Sequence, residues 1–154
     1  MFIDESGIND NGSWPYGWSK KGSRVYDFKP AHKKRRFSMI ASLNNKEIKA
    51  PIIFEGYTHK KFFELWIEKQ LVPTLEPGST VIMDNAAFHK STKVKESIEK
   101  ANCKLIFLPP YSPDLNPIEN FWAKLKKYVR RIIKSFQYNL ESALTHAFNV
   151  LIKL

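Results

Sequence analysis

The sequence predicts an α/β fold in which a mixed β-sheet is flanked by helices. Segments with strand patterns and segments with helical patterns follow one another along the chain, which is typical of a sheet covered by helices. An aspartate lies at or directly after the end of two of the strand-like segments. The length of 154 residues matches one domain that can bury a core of its own.

Five segments have the composition of β-strands. They are rich in apolar and β-branched residues and are bounded by turn-forming residues. We predict strands over residues 1–5, 37–43, 48–54, 80–83 and 104–108. The pair Asn44 and Asn45 separates the second strand from the third, so we expect these two to form a hairpin.

Four segments repeat apolar residues at helical spacing. The first helix should end before Pro77 and Gly78, which stop its pattern. A proline-rich loop precedes the third helix. We predict helices over residues 59–75, 92–101, 117–133 and 140–151.

The charge of the chain favours a polyanion as its partner. It contains 25 lysines and arginines against 15 acids, a net charge of +10. The basic residues cluster within residues 20–24, 33–36 and 124–131, and the last cluster includes Lys126. A basic surface that is only solvated, with no bound polyanion, is the alternative. The predicted DNA-binding residues are Lys20, Lys21, Arg24, Lys33, Lys34, Arg35, Arg36, Lys124, Lys127, Arg130 and Arg131.

Composition also excludes several classes of protein. The longest apolar runs are shorter than the roughly 18 to 20 residues of a membrane span, and the first residues do not form a basic signal sequence. Cys103 is the only cysteine, which excludes a disulfide within the chain and an all-cysteine zinc site. We expect a cytoplasmic protein without membrane contact.

Two aspartates are placed where the carboxyl ends of strands meet. Asp4 ends the first predicted strand, and Asp84 follows the fourth. In an open α/β sheet such strand ends converge on one site, which is the arrangement of a ribonuclease H-like fold. Side chains alternate along a strand, so Asp4 and Glu5 should point to opposite faces, and only one should face the site. A role in turns or capping is the alternative for both aspartates.

Glu119 is the third candidate acid, and it has a competing structural explanation. Asn116 can cap the following helix, Pro117 suits the first helical position, and Glu119 then stands where a capping-box acid stands. Three carboxylates that converge in a basic chain would provide hard oxygen ligands for Mg²⁺ or Mn²⁺. Two such ions would promote the in-line displacement of a phosphodiester.

Several blocks of sequence resemble the DDE transposases of the mariner-like superfamily, in particular bacterial insertion-sequence members. They are Asp4-Glu5-Ser6, Gly17 to Gly22, Asp84-Asn85-Ala86-Ala87-Phe88-His89 and the stretch from Leu108 to Trp122. Thirty-four residues separate Asp84 from Glu119, similar to the spacing that names one branch of the family. The resemblance implies that Asp4, Asp84 and Glu119 are catalytic and hold two Mg²⁺ or Mn²⁺ ions.

The resemblance also implies a reaction and partners. The expected reaction is nicking of double-stranded DNA at transposon ends, excision, and strand transfer into a target. A homodimer and association with the bacterial nucleoid are further expectations. The family's helix-turn-helix recognition region should precede the first strand, so we expect residues 1–154 to be a catalytic domain alone, with its first strand shortened. A truncated, catalytically idle remnant that binds DNA non-specifically or interferes with a full-length transposase is the alternative. A general nuclease or ribonuclease H is a third possibility.

Four polar residues are candidates for supporting the carboxylates or contacting DNA: Asn85, His89, Asn116 and Asn120. His89 could instead pack inside the protein, and Asn85 could simply form a turn. Three aromatic residues, Trp14, Tyr16 and Trp18, could stack on DNA or pack on the sheet. The alternatives are open at this stage.

Overall fold

The fold was analysed in a computed structural model that describes residues 1–9, 20–24, 35–136 and 139–152. Lys33, Lys34 and the aromatic residues Trp14, Tyr16 and Trp18 lie outside the described residues. The described ranges include the three candidate carboxylates and most of the predicted basic residues.

A five-stranded mixed sheet forms the centre of the molecule, as predicted. Its strands are β1 (Phe2–Asn9), β2 (Arg36–Asn44), β3 (Glu47–Glu55), β4 (Thr80–Met83) and β5 (Lys104–Phe107). They lie in the order β3-β2-β1-β4-β5. The pairs β1–β2 and β2–β3 are antiparallel, whereas β1–β4 and β4–β5 are parallel.

The predicted helices are also present. They are α1 (Lys60–Trp66), α2 (Thr92–Lys100), α3 (Ile118–Phe136) and α4 (Leu140–Leu151). The first one is shorter than predicted, because the chain continues from α1 as a π turn, Ile67–Leu71, and a 3-10 turn, Val72–Thr74. Pro73 explains the change, since it has no N–H and its ring clashes with the carbonyl four residues earlier in an α-helix.

The sheet separates two hydrophobic cores. On one face α3 and α4 bury Trp122, Leu125 and Leu144 against β1 and β2. On the other face α1 and α2 bury Phe63 and Ile98 against the sheet. The apolar stripe of α3 is therefore core packing, which is what its helical spacing predicts.

The hairpin between β2 and β3 confirms the prediction with a shift of one residue. The turn is formed by Asn45 and Lys46, both with positive φ, at 46° and 72°. Two consecutive residues with positive φ are typical of the two-residue hairpin turn whose twist matches that of the strands. Asn44 is the last residue of β2.

The prediction of a shortened first strand was wrong. β1 has eight residues and pairs with β2 over its whole length, so Asp4 lies inside the strand and not at its end. The residues from Glu5 to Gly7 lack apolar side chains and so obscured the strand pattern, but their backbone groups pair with β2. In contrast, the register between β1 and β4 contains one pair, Phe2 with Ile82.

None of the helices within the described ranges combines the length and the apolar character needed to cross a membrane.

Candidate active site

A cleft of about 400 Å³ brings the three candidate carboxylates together. Asp4 reaches it from β1, Asp84 from the loop after β4, and Glu119 from the first turn of α3. The remaining wall is formed by Asn85, Ala86, Asn116 and the proline-rich segment from Leu108 to Pro113. Sequence positions separated by as many as 115 residues therefore meet at one surface.

Asp4 is almost completely buried, with 7 % of its surface exposed. Its Oδ2 atom accepts a hydrogen bond of 3.1 Å from the indole N–H of Trp122. Trp122 is a residue of α3 whose side chain is buried in the core. The sequence pattern identifies Trp122 only as a core residue. Its position one turn after Glu119 was the available sign that the indole could face the site.

Burial is the main cause of an unusual pKa at Asp4. It raises the pKa of the carboxyl group to about 7, and the neighbouring negative charges of Glu119, Glu5 and Asp84 act in the same direction. Near neutral pH the group is therefore divided between its protonated and ionised forms. A cation in the cleft would favour the ionised form, because it would offset both the burial and the repulsion.

Asp84 is held by two hydrogen bonds to one of its oxygens. Its Oδ1 atom accepts from the backbone N–H of Ala86 at 3.0 Å and lies 2.5 Å from Nδ1 of His89. The contact with His89 lowers the pKa of Asp84. The side chain is half exposed and lines the cleft. Asp84 therefore both stabilises the local turn and lies in the candidate site.

His89 is fully buried and bridges two acids. Its Nε2 atom lies 3.0 and 3.1 Å from the two carboxylate oxygens of Glu5, opposite the contact of Nδ1 with Asp84. Burial alone would lower the pKa of His89, but the hydrogen bonds to Asp84 and Glu5 outweigh it and raise the pKa to about 9. At neutral pH both ring nitrogens therefore carry a proton and donate.

Glu5 is connected to Asp84 through His89. Asp4 and Glu5 do point to opposite faces of β1, because one contacts Trp122 under α3 and the other contacts His89 on the opposite face. The expectation that only one of them faces the site is confirmed, since Asp4 lines the cleft and Glu5 is not among the described lining residues. Glu5 reaches Asp84 through His89, a contact between residues 84 positions apart that no local pattern predicts.

Glu119 does not take part in a capping box. The backbone N–H of Asn116, which a capping-box acid would accept from, donates to the carbonyl of Pro113 at 3.0 Å. The Oδ1 atom of Asn116 is buried without a hydrogen-bond partner, so this side chain does not cap α3 either. Its Nδ2 atom approaches the carbonyl of Ile3 at 3.5 Å, and α3 begins at Ile118, one residue later than predicted.

The other predicted supporting residues divide into two groups. Asn85 and Asn116 line the cleft, whereas Asn120 is exposed on α3 and is not part of the lining.

Tyr111 was not predicted as a site residue. It is fully exposed at the cleft, and its φ of 57° is unusual for a bulky residue. A tyrosine among prolines in a loop was the signal available in the sequence.

The carboxylates do not form a ready-made metal cage. Within the part of the chain that the structure describes, no three histidine, cysteine, aspartate or glutamate side chains are close enough to hold an ion together. The donor chemistry nevertheless suits a hard cation, since three carboxylates and the unpaired amide oxygen of Asn116 face or adjoin the cleft. The residues therefore fit Mg²⁺ or Mn²⁺ by type, with closer approach needed on binding.

Exposed basic residues lie on α3 and elsewhere on the surface, and none of the described residues that line the cleft is basic. Lys126 lies on α3 near Glu119 and Asp4. Burial is the main cause that lowers its pKa, and the charges of Arg130 and Arg36 lower it further. The two acids raise the pKa but do not offset these effects. The remaining predicted residues of α3 are exposed: Lys124, Lys127, Arg130 and Arg131. Lys20, Lys21 and Arg24 are exposed too. Arg35 is engaged with Glu55 and Glu141 in surface ion pairs at 2.8 and 3.5 Å.

Arg36 occupies a defined position beside the strand of Asp4. Its guanidinium group lies 4.5 Å from the ring centre of Tyr57 and packs so closely on Gly7 that a side chain there would overlap it. The Nε atom is buried and has no acceptor among the described residues. No acid within the described ranges forms an ion pair with this arginine.

Known sequences match parts of this chain. The Tc1 transposase of Caenorhabditis elegans is 28 % identical over 75 residues, which are 49 % of this chain and 28 % of that protein. The Tcb2 transposase of Caenorhabditis briggsae is 39 % identical over 49 residues, 32 % of this chain and 18 % of that protein. The uncharacterized protein y4pE/y4sA of Sinorhizobium fredii is 46 % identical over 44 residues, 29 % of this chain and 30 % of that protein.

Solved structures match nearly the whole chain. The Mos1 strand transfer complex aligns with a TM-score of 0.61 at 14 % identity, over 99 % of this chain and 51 % of that one. A simian T-cell lymphotropic virus intasome aligns with a TM-score of 0.58 at 11 % identity, over 95 % and 46 %. These likenesses confirm the predicted ribonuclease H-like fold. This chain spans about half the length of the solved chains that it matches.

The family comparison covers the carboxylates and the proline-rich loop together. The family described as DDE superfamily endonuclease matches residues 1–139, a range that includes Asp4, Asp84 and Glu119. The mixed sheet and the cleft agree with this match, and the predicted resemblance to transposases of this type is confirmed. The chain therefore belongs to the DDE superfamily of endonucleases.

Proposed function

We propose that this chain is the catalytic domain of a cut-and-paste DNA transposase, and that it cleaves and transfers DNA strands with the help of divalent metal ions. The observation that supports this most is the convergence of Asp4, Asp84 and Glu119 on one cleft in a chain with a net charge of +10. A basic chain with an acidic cleft suits a phosphodiester, because the phosphate needs cations and a hard metal needs oxygen ligands.

The three carboxylates are the metal ligands in this proposal. Asp4, Asp84 and Glu119 hold two Mg²⁺ or Mn²⁺ ions, and closure of the cleft around them brings the three groups together. When bound, such ions supply Lewis-acid stabilisation of the attacking and leaving oxygens of an in-line displacement. Trp122 orients the buried carboxyl of Asp4, and His89 holds that of Asp84.

The substrate in this proposal is double-stranded DNA. The exposed basic residues of α3, together with Arg36 and the segment from Lys20 to Arg24, contact the phosphate backbone. The Mos1 structures similar to this chain are described as a strand transfer complex and as a paired-end complex with the left transposon end. We extend this to the present chain as transposon ends and target DNA, two copies of the chain acting together at the nucleoid.

The test is a nicking assay on supercoiled plasmid DNA that carries transposon ends, in the presence of Mn²⁺. Wild-type protein should nick the plasmid, and Asp84→Asn should reduce the rate by roughly 100-fold or more, because it removes a charged ligand from the centre of the site. Asp114→Asn is the matched control, since this acid is exposed on the neighbouring loop. Equal nicking by the Asp84 and Asp114 variants would refute the catalytic proposal.

A second candidate function is binding of DNA without catalysis. One observation favours it: within the described residues, no three acidic or histidine side chains are close enough to hold an ion together. This protein would bind random DNA as tightly as transposon ends. A competition experiment separates the two, because clear end preference or cleavage of the ends contradicts the idle remnant. An RNA·DNA hybrid in the same assay tests the general nuclease, which alone should degrade it.

A further inference from the structure

The spacing between Asp4 and Asp84 is not fixed by backbone pairing. The register between β1 and β4 contains the single pair Phe2 with Ile82, supported by a hydrogen bond of 2.8 Å from the Ile82 N–H to the Met1 carbonyl. Asp4 and Asp84 each lie two residues beyond this pair. The two strands therefore carry their carboxylates past the point where the ladder ends.

Side chains span the gap that the ladder leaves. Glu5 extends from β1 on the face opposite Asp4, and both of its oxygens contact Nε2 of His89. The other ring nitrogen contacts Asp84 at 2.5 Å. Among the described contacts, this chain of Glu5, His89 and Asp84 is the direct polar link between β1 and the loop that follows β4.

The link is well placed to be rigid. His89 is fully buried, and its ring packs 4.4 Å from the ring centres of both Phe63 and Phe88. Glu5 is mostly covered, with 15 % of its side chain exposed. Water has little access to either group, so the hydrogen bonds between them are not readily exchanged for solvent.

We infer that Glu5 is a positioning residue, which acts through His89 to hold the Asp84 carboxylate in the orientation that the cleft requires. The inference rests on the proposed function, in which Asp84 is a metal ligand. Groups that orient a ligand in this way change metal affinity by roughly 10- to 100-fold when they are replaced. Glu5 itself does not contact the metal or the substrate in this account.

Two substitutions separate positioning from packing. Glu5→Gln keeps the shape and one acceptor oxygen for Nε2 of His89. Glu5→Met has a similar length and no carboxylate. We expect the Kd for Mn²⁺, measured by calorimetric titration, to change less than about threefold in Glu5→Gln and to rise roughly 10- to 100-fold in Glu5→Met. Glu47→Gln, on the exposed surface of β3, is the control and should bind as the wild type does.

Crystal structures of the metal-free wild type and Glu5→Met provide the second measurement. Asp84 should leave its contact with His89 and change its side-chain orientation in the variant, while the sheet is unchanged. An unaltered Asp84 with unaltered Mn²⁺ affinity would overturn the inference. Equal loss of affinity in Glu5→Gln and Glu5→Met would also overturn it, since the retained acceptor would then have no effect.

The failure of the proposed function has a different signature. If the wild type binds no Mn²⁺ while Glu5→Met releases Asp84 in the crystal, the positioning by Glu5 is correct and the metal site is wrong. If the wild type binds Mn²⁺ and Asp84 keeps its orientation in Glu5→Met, the metal site stands and the positioning is wrong.

Discussion

At the scale of single residues, Asp4 illustrates how a functional group can reduce stability. The carboxyl group is buried beside three other acids, and its pKa is about 7 instead of the ordinary value of 3.8. From about pH 4 to pH 7 the folded protein retains a proton on Asp4 that the unfolded chain has lost. The contribution of this group to stability therefore falls as the pH rises through that window.

We predict that Asp4→Asn stabilises the metal-free protein at pH 8 and not at pH 4. The amide cannot ionise, and its oxygen can still accept the indole hydrogen of Trp122. The free energy of unfolding should rise by about 1 to 3 kcal/mol at pH 8, from a shift of about three pKa units reduced for local relaxation. Urea unfolding at both pH values measures it. A variant that is equally stable or less stable than wild type at pH 8 would contradict the high pKa.

Gly7 provides a test of the DNA-contact role of Arg36 that leaves the net charge unchanged. A methyl group at this position overlaps the end of the flexible Arg36 side chain, so the guanidinium must move while the strand can stay in place. We predict that Gly7→Ala weakens binding of a DNA duplex by roughly 3- to 10-fold with little change in Tm, the loss expected for one phosphate contact.

Fluorescence anisotropy with a labelled duplex measures this effect, and Arg36→Ala should weaken binding at least as much. Ser6→Ala, on the preceding residue of β1, is the control for a small change in the strand. If Arg36→Ala weakens DNA binding and Gly7→Ala does not, DNA affinity depends on the charge of Arg36 and not on the packing of its guanidinium group against Gly7.

At the scale of elements, the proline-rich loop determines the shape of the cleft mouth. Leu108 to Pro113 form one wall, and the loop presents Tyr111 to solvent in a left-handed backbone conformation. A bulky residue in that conformation has a cost in stability, which is more often seen at functional sites than elsewhere. An exposed aromatic ring beside the cleft can stack on a nucleotide base.

We therefore predict that Tyr111→Ala impairs DNA cleavage, whereas Tyr111→Phe does not. The loss of one stacked base corresponds to about 1 to 3 kcal/mol, or roughly a 5- to 100-fold rise in KM for a DNA substrate. Thermal unfolding should show that the alanine variant is no less stable than wild type. Unchanged kinetics in Tyr111→Ala would remove this residue from the substrate path.

The elements themselves were largely predictable from the sequence. Apolar periodicity located the five strands and four α-helices of the described residues, and the boundaries of β4 and α4 were predicted to the residue. The length of β1 was not, because Glu5, Ser6 and Gly7 lack apolar side chains and are kept in the strand by pairing with β2. The π turn after α1 was not predicted either, since it depends on how Pro73 interrupts the helix.

The site was predictable only as far as local rules extend. Strand ends and the proline-rich block identify Asp84 and Glu119, and alternation along β1 places Asp4 and Glu5 on opposite faces. The contact of Trp122 with Asp4 joins residues 118 positions apart, and that of His89 with Glu5 joins residues 84 apart. Such pairs depend on how elements pack, which periodicity does not encode.

At the scale of the whole molecule, the charge distribution is the property most relevant to DNA. The exposed basic face of α3 lies outside the core that the same helix forms with Trp122 and Leu125. One helix thus provides a cleft carboxylate at its first turn, core residues along one face, and cations along the other. Cations on such a surface displace condensed counterions when they bind phosphates.

We predict a steep dependence of DNA binding on salt. With about five phosphate contacts, the logarithm of the association constant should fall with the logarithm of the salt concentration at a slope of roughly −4 to −5. Replacing both Lys127 and Arg130 by glutamine should make the slope shallower by about 2, whereas Lys104→Gln on the distant β5 edge should not change it. A slope that is the same in all three proteins would exclude α3 from the DNA contact.

The cleft carboxylates of this chain are proposed to bind a divalent metal. Calorimetric titration of Mn²⁺ into the wild type and into Asp84→Asn at pH 8 tests it most directly, because Asp4 is then mostly ionised and no DNA is required. We predict saturable binding by the wild type and a loss of roughly 100-fold or more in affinity in the variant. Equal binding by both proteins, or none by a folded wild type even with DNA present, would contradict the claim.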